Sequence, residues 1–438
     1  MNIKSMLYSN LFKTFFWTFL VRVLAVGLTF ISSVLLARIL GVENFGIYSF
    51  VFSLVSLLAL PAQAGMPTLV LRETSQAKAL NDWSRMKGIW LWASYVVMII
   101  SFIIFTIAIF VQKSFFLNMV GGSSIFALGL IMSLLVAMGN VRGAALRGLG
   151  LVVQGQLPEG LIRPLFLTIF LLIAIILNFD ISTDLAMILH LVAATIGFII
   201  GTWLLMRAKP KELKTVQPLI NMRAWFYAVM PLAVMTGIQS ISGQIDILML
   251  GVLGTIKDVG IYKVVVSGAA LVLFGLQVVS TVITPRLASA FAKKNYSEIQ
   301  KLASLGSFLS FCFTLPLVFI IFFWGQYILQ YVFGNDFIFG YRALCIITIG
   351  QAINAFFGSS ISILTMSGNE RFVIQAMFLS AITNAILNLL LIPKFGVDGA
   401  AIGASISMIV WNVYLWVAIR SHTGIDSTFI GFFLRKKI

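Results

Sequence analysis

Residues 14–37 read TFFWTFLVRVLAVGLTFISSVLLA, and Arg22 is the only charge between Lys13 and Arg38. The stretch is long enough to cross a bilayer as a helix, which takes about 20 apolar residues. Arg22 lies nine residues past Lys13, roughly 13 Å of helical rise, which puts its guanidinium near the middle of a ~30 Å hydrocarbon core. An arginine there costs about 2.5–3.5 kcal/mol on insertion scales, so such residues usually face a polar interior and mark a transport path. The alternative for Arg22 is a structural role, bonded to a carbonyl or carboxylate of a neighbouring helix.

The rest of the chain follows the same pattern. Of 438 residues, 60% are hydrophobic and 10% charged, against about 25% charged in a soluble domain. Charge-poor runs fall at 14–37, 45–65, 89–111, 123–141, 156–178, 185–206, 224–251, 259–283, 302–325, 343–366, 372–392 and 399–419. Their length predicts helices, since barrel strands are only ~10 residues of alternating polarity. The expectation is an all-α polytopic membrane protein of twelve spans. The first run is too long for a signal-peptide core and lacks a small-residue cleavage pattern after it, so it reads as a retained first helix.

The net charge of +16 does not point to nucleic acid, because the basic residues cluster in alternate gaps between apolar runs. With the N-terminus inside, the outer side holds only Arg38, Lys113, Lys257, Arg342 and Lys394. Arg22, Arg163 and Lys263 lie within spans, and the other twenty-two Lys and Arg fall on cytoplasmic segments. That asymmetry predicts that both termini are cytoplasmic. Cys312 and Cys345 sit inside apolar runs, which argues against a disulfide framework, and His190 and His422 form no metal-ligand spacing. No hydrophilic segment is large enough for a soluble catalytic domain, and no GxxxxGK[ST] loop occurs. No catalytic residue, cofactor or metal is therefore assigned. The cytoplasmic loop near 284–301, which contains PRLASAFAKKNYSEIQKL, predicts a short basic interfacial helix.

The chain also repeats itself. Leu40-Gly41-Val42-Glu43-Asn44-Phe45-Gly46-Ile47-Tyr48 joins spans one and two, and Leu253-Gly254-Thr255-Ile256-Lys257-Asp258-Val259-Gly260-Ile261-Tyr262 joins spans seven and eight. Pro67 and Pro285 each open a basic cytoplasmic loop. Two six-helix lobes follow, residues 1–210 and 211–438, with the basic stretch 207–223 as linker. Six spans is an even number, so both lobes enter from the same side. Parallel repeats of this kind are related by an axis along the membrane normal, with the substrate path expected between them.

Four more ionisable residues lie within or near spans beside Arg22: Glu159 and Arg163 on span five, Asp246 on span seven, and Lys263 near the outer end of span eight. Glu159 and Arg163, four apart, can meet on one helical face, as an architectural ion pair or as part of a site. With Arg142 and Arg147 across a short loop they would make a mainly cationic inner vestibule. Asp246 and Lys263 flank a short loop and could pair, or Asp246 could serve as an ion-coupling carboxylate. A cationic path suits an anionic solute, and arginine's planar fork suits phosphate oxygens. The amides Gln239, Gln244, Gln277, Gln351, Asn354, Asn384 and Asn388 predict helix–helix hydrogen bonds. Pro231, Gly237 and Gly243 interrupt span seven and would allow it to bend.

ARILGVENFGIYSFVFSLVSLL (37–58) and RGLGLVVQGQLPEGLIRPLF (147–166) resemble the polysaccharide-biosynthesis membrane proteins, the Wzx-type O-antigen and exopolysaccharide flippases. Their superfamily also holds multidrug exporters and lipid II flippases. The resemblance implies a V-shaped, alternating-access transporter, not an enzyme, working as a monomer. Its implied cargo is an undecaprenyl-pyrophosphate-linked oligosaccharide, turned from the cytoplasmic to the periplasmic leaflet of the inner membrane while the lipid tail stays among the membrane lipids. A polysaccharide polymerase and a chain-length regulator are the implied protein partners. Arg22 matches the first-span arginine of related lipid flippases. Arg142, Arg147, Arg163 and Lys263 would join it as substrate-binding residues, although Lys263 lies closer to the outer end than its counterpart in those relatives. Proton or sodium coupling is implied, with Asp246 and Glu159 as the in-span carboxylates for it. Two rivals remain: a cation-coupled multidrug exporter of the same fold, which would favour acidic cavity residues, and a polysaccharide polymerase or ligase, which would need a large outer loop.

Overall fold

The computed structural model describes residues 3–115 and 123–434; of the charges counted above, Arg435, Lys436 and Lys437 lie outside the described residues. Every regular element among them is helical. In chain order these are α1 (Ile3–Leu58), α2 (Leu60–Gln63), α3 (Met66–Ala79), α4 (Trp83–Phe115), α5 (Ser123–Gly148), α6 (Val152–Leu157), α7 (Arg163–Ile176), α8 (Thr183–Ala208), α9 (Met222–Leu253), α10 (Ile256–Ala292), α11 (Tyr296–Ile328), α12 (Tyr341–Phe357), α13 (Ser360–Met366), α14 (Glu370–Thr423) and α15 (Phe429–Leu434). A π-helical turn, Pro158–Ile162, links α6 to α7.

Among the described residues, ten helical stretches are long and apolar enough to cross a membrane. Two of them are double. α1 breaks at Gly41 (φ 70°) and α14 at Gly396 (φ 53°), both in the left-handed region that glycine enters without a Cβ penalty. Counting each half separately gives the twelve spans expected from the sequence. Their lipid-facing sides carry large apolar groups, such as Phe102 and Phe110 on α4 and Phe319 and Phe323 on α11, all exposed.

The basic stretch 284–301 does not form the separate interfacial helix expected of it. α10 continues through Pro285 to Ala292, and α11 starts at Tyr296. The turn between them is made by Lys294 at φ 53° and by Asn295, whose Oδ1 accepts from the Glu298 amide at 3.1 Å. A single N-cap thus replaces a helix, as capping physics allows.

The chain forms two compact units: residues 1–40 with 47–240, and residues 41–46 with 241–438. The division along α9 falls at Ser240, well past the basic linker 207–223 at which the sequence suggested a boundary. The core of the first unit gathers Met66, Leu69, Ile89, Trp92, Val141 and Trp225 from α3, α4, α5 and α9. Small residues let its helices approach closely, the usual solution where lipid gives helices no hydrophobic reason to associate.

The second unit contains the later copy of the repeated turn and residues 41–46 of the earlier one. In the later copy Thr255 and Asp258 form a capping box: Thr255 Oγ1 accepts from the Asp258 amide at 3.1 Å, and Asp258 Oδ2 accepts from the Thr255 amide at 3.0 Å. The earlier copy lies against it. A side chain on Gly46 would overlap the Ile256 carbonyl, and one on Gly260 would overlap the Val42 carbonyl. Phe45, buried, meets Phe337 edge-on at 6.3 Å. Gly46→Ala should therefore force the two turns apart and destabilise the protein by about 1–3 kcal/mol, the usual cost of overpacking. The check is a thermal melt in detergent; an unchanged midpoint would count against this contact.

Candidate functional site

Arg22 lies on the first half of α1 and is exposed. No described residue bonds or pairs with it, whereas farther along the same helix the side chains are tied down. Ser32 bonds Thr168 Oγ1 at 2.8 Å, and Tyr48 shares a hydrogen bond with His190 Nδ1 while the Phe52 ring stacks on the imidazole at 5.6 Å. α1 is thus anchored to α7 and α8 beyond Arg22 and leaves the arginine itself available.

Arg142 sits differently. It is 7% exposed, and its Nη1 donates to the Phe198 carbonyl and, at 3.1 Å, to Thr202 Oγ1. Its guanidinium also lies 4.8 Å from the Phe198 ring centroid, a cation–π distance. Gly201 makes the space, since a Cβ there would overlap this guanidinium. Glu159 bridges two arginines, with Oε1 3.5 Å from Arg142 Nη2 and Oε2 3.7 Å from Arg163 Nη1. The expected Glu159–Arg163 pair is present, and Arg142 joins it. Arg163 keeps 23% of its side chain exposed. Arg147 stays apart from this trio, its stem packed beside Gly155. The four residues predicted as one vestibule therefore resolve into a buried anchor, a bridging carboxylate, a half-open arginine and a separate arginine in the last turn of α5.

Asp246 and Lys263 are not joined by an ion pair. Tyr262 donates its hydroxyl to Asp246 Oδ2 at 2.8 Å, and Asn388 donates to Oδ1 at 2.7 Å. Adjacent residues on a helix point about 100° apart, so when Tyr262 faces Asp246 its neighbour Lys263 is turned away. Asn388 also donates to Asn384 Oδ1 at 3.1 Å, and Asn384 reaches Ser407 Oγ at 3.5 Å. The predicted amide contacts between helices are borne out here, and they converge on a carboxylate. Gly403 leaves the room that Asn388 Oδ1 occupies, and that oxygen is buried with no hydrogen-bond partner.

Two further clusters were not singled out in the sequence. The Tyr48–His190 pair is buried in the first unit; a lone histidine on an apolar run gave no sign of it. Glu73, on α3, accepts from Arg85 and from the Trp225 indole. It was masked there by surrounding basic residues. No group of three or more His, Cys, Asp or Glu is placed to hold a metal among the described residues.

Residues 11–291 match the model of the polysaccharide biosynthesis protein family, and residues 231–390 match the MatE model. The chain is 25% identical over 416 residues to a probable low-salt glycan biosynthesis flippase, Agl15 of Haloferax volcanii, across 90% of this chain and 80% of that relative. Its fold resembles an inward-facing multidrug resistance MATE family transporter of the MOP superfamily (TM-score 0.75, 14% identity, 91% of this chain and 94% of the other). It also resembles the lipid II flippase MurJ in an inward closed conformation (TM-score 0.72, 14% identity, 92% and 87%).

The contrast between Arg142 and Arg22 is measurable. Arg142→Ala removes one partner of a buried ion pair, a change that costs about 3–5 kcal/mol, and should lower both the thermal midpoint and the amount of protein in the membrane. Arg22→Ala, which breaks no contact, should change neither. Equal stability losses in the two variants would contradict this division of roles.

Proposed function

The chain belongs to the polysaccharide biosynthesis protein family, and from that premise we propose that it is a non-enzymatic flippase for an undecaprenyl-pyrophosphate-linked oligosaccharide. In this reading the cargo passes by alternating access from the cytoplasmic to the periplasmic leaflet of a bacterial inner membrane, with both termini cytoplasmic. The observation that carries the proposal is Arg22, an exposed and unengaged cation on a membrane helix. Its planar fork matches phosphate oxygens in pairs. Arg163, half-open beside Glu159, supplies a second positive group in the same unit. Arg142 acts indirectly, by fixing Glu159 and through it Arg163. Arg147 near the cytoplasmic end of α5 and Lys263, partly buried on α10, complete the basic set. The probable glycan flippase relative supports this class of cargo. A polymerase and a chain-length regulator would receive the product.

Coupling to an ion gradient falls to Asp246 rather than Glu159. Glu159 already faces two arginines, whereas Asp246 faces only neutral hydroxyl and amide groups. A carboxylate held by neutral groups, beside the unpartnered Asn388 Oδ1, is a hard oxygen site of the kind that suits a proton or sodium ion and not a soft metal.

A second reading, a cation-coupled multidrug exporter, draws support from the MatE match over 231–390. The two separate by cargo. Reconstituted protein should flip a fluorescent polyprenyl-pyrophosphate oligosaccharide in proteoliposomes, with Arg22→Ala at least tenfold slower and Arg22→Lys between the two. Efflux of cationic dyes without lipid flipping would favour the exporter instead. Asp246→Asn keeps an acceptor for Tyr262, so the variant should insert normally while its rate no longer responds to imposed proton or sodium gradients. A wild-type gradient response in that variant would remove Asp246 from coupling.

A further inference from the structure

Glu73 is 3% exposed, unusual for a carboxylate, which stays out of water only when paired. Its Oε2 accepts from Arg85 Nε at 2.9 Å, from Arg85 Nη2 at 2.7 Å and from Trp225 Nε1 at 3.1 Å, and Arg72 Nη2 lies 3.6 Å from Oε1. Trp225 is remote in sequence and opens α9. It is buried and meets Trp92 at 5.5 Å.

The segment leading into Trp225 is held to the same place. The Leu219 amide donates to the Ser84 carbonyl at 3.0 Å, and Lys87 Nζ donates to the Val216 carbonyl at 2.8 Å. Gly88 is required here, because a Cβ would overlap the Leu219 carbonyl. Val229 then enters the first unit's core. From residue 234 to residue 246 α9 has no buried residue, and a side chain at Gly237 or Gly243 would meet open space. Burial resumes at Ile247 and Leu250, in the second unit.

We propose that Glu73 is a positioning residue for transport: its carboxylate clamps residues 216–225 onto α3 and α4 and thereby fixes where α9 leaves the first unit. The linker that joins the two halves of the sequence is then a rigid part of the first unit, and conformational change is denied to it. This proposal rests on the transporter reading above. Loss of the carboxylate is compatible with folding. The Arg85 and Arg72 side chains are 34% and 47% exposed, so both guanidinium groups can turn to water, and a glutamine can still accept from Trp225.

The test uses full-length protein lacking Cys312 and Cys345, with Ser84→Cys and Leu219→Cys introduced across the backbone hydrogen bond. With Glu73 present the disulfide should close quickly under mild oxidant; with Glu73→Gln closure should slow at least fivefold. Glu73→Gln alone should slow flipping of the fluorescent polyprenyl-pyrophosphate oligosaccharide at least fivefold, with unchanged membrane abundance and thermal midpoint. The closed disulfide should restore the rate of the Glu73→Gln variant, and a reductant should abolish the rescue. Unchanged closure kinetics, wild-type flipping by Glu73→Gln, a flipping loss that tracks lost folded protein, or a closed disulfide without rescue would each overturn the clamp. Failure of the wild-type protein to flip the probe would overturn the transporter reading alone, because the closure rates still decide the clamp.

Discussion

A charge inside the hydrocarbon region is costly unless another group answers it, and this constraint orders most of what the helices do. Attraction between opposite charges grows as the surroundings lose water, and so does the penalty for a charge left alone. Glu159 is answered by Arg142 and Arg163. Arg142 in turn needs the Phe198 carbonyl, Thr202 and a glycine at position 201. One carboxylate thus dictates residues on three other segments. In the second unit Asp246 is answered by dipoles alone, from Tyr262 and Asn388. That difference separates the two acids chemically: ion pairs hold one, and hydrogen bonds from neutral groups hold the other.

The same need for satisfied polar groups explains how the chain turns at the membrane's edge. Gly41 and Gly396 interrupt long helices at positive φ, so each reversal keeps nearly all its backbone in helical hydrogen bonds. The two copies of the repeated turn then use their remaining glycines for contact, with Gly46 against Ile256 and Gly260 against Val42. The sequence repeat is therefore a packing device as well as a sign of duplicated halves. It also puts residues 41–46 in the second unit, while residues 222–240 of α9 stay in the first.

Properties that depend on local composition were legible in the sequence. Twelve spans follow from run length, and the Glu159–Arg163 contact follows from i,i+4 spacing on one helix. Partners that lie far apart along the chain were not legible. Arg142 reads as a vestibule charge until Phe198 and Gly201 close around it. Lys263 looks like a partner for Asp246 because the loop between them is short, but helical rotation gives that place to Tyr262. The basic linker looks like a boundary because boundaries are often polar. Only the approach of Glu73 and Ser84 to Trp225 and Leu219 shows it to be fastened down.

Fold alone does not choose a cargo, since one architecture hosts several chemistries, and this chain resembles a drug exporter and a lipid flippase to nearly the same degree. The choice rests on which charges are free to meet a substrate. An exporter of organic cations needs an acidic group open to its cargo, yet Glu159 is enclosed by arginines and Asp246 is bonded on both oxygens. Arg22, by contrast, is exposed and has no bonding partner among the described residues. At the mid-depth expected from the sequence it would bear the insertion cost of a membrane cation with no described residue to offset it. Under the proposed function its counter-charge would come from the cargo, and an anionic headgroup such as pyrophosphate would supply one.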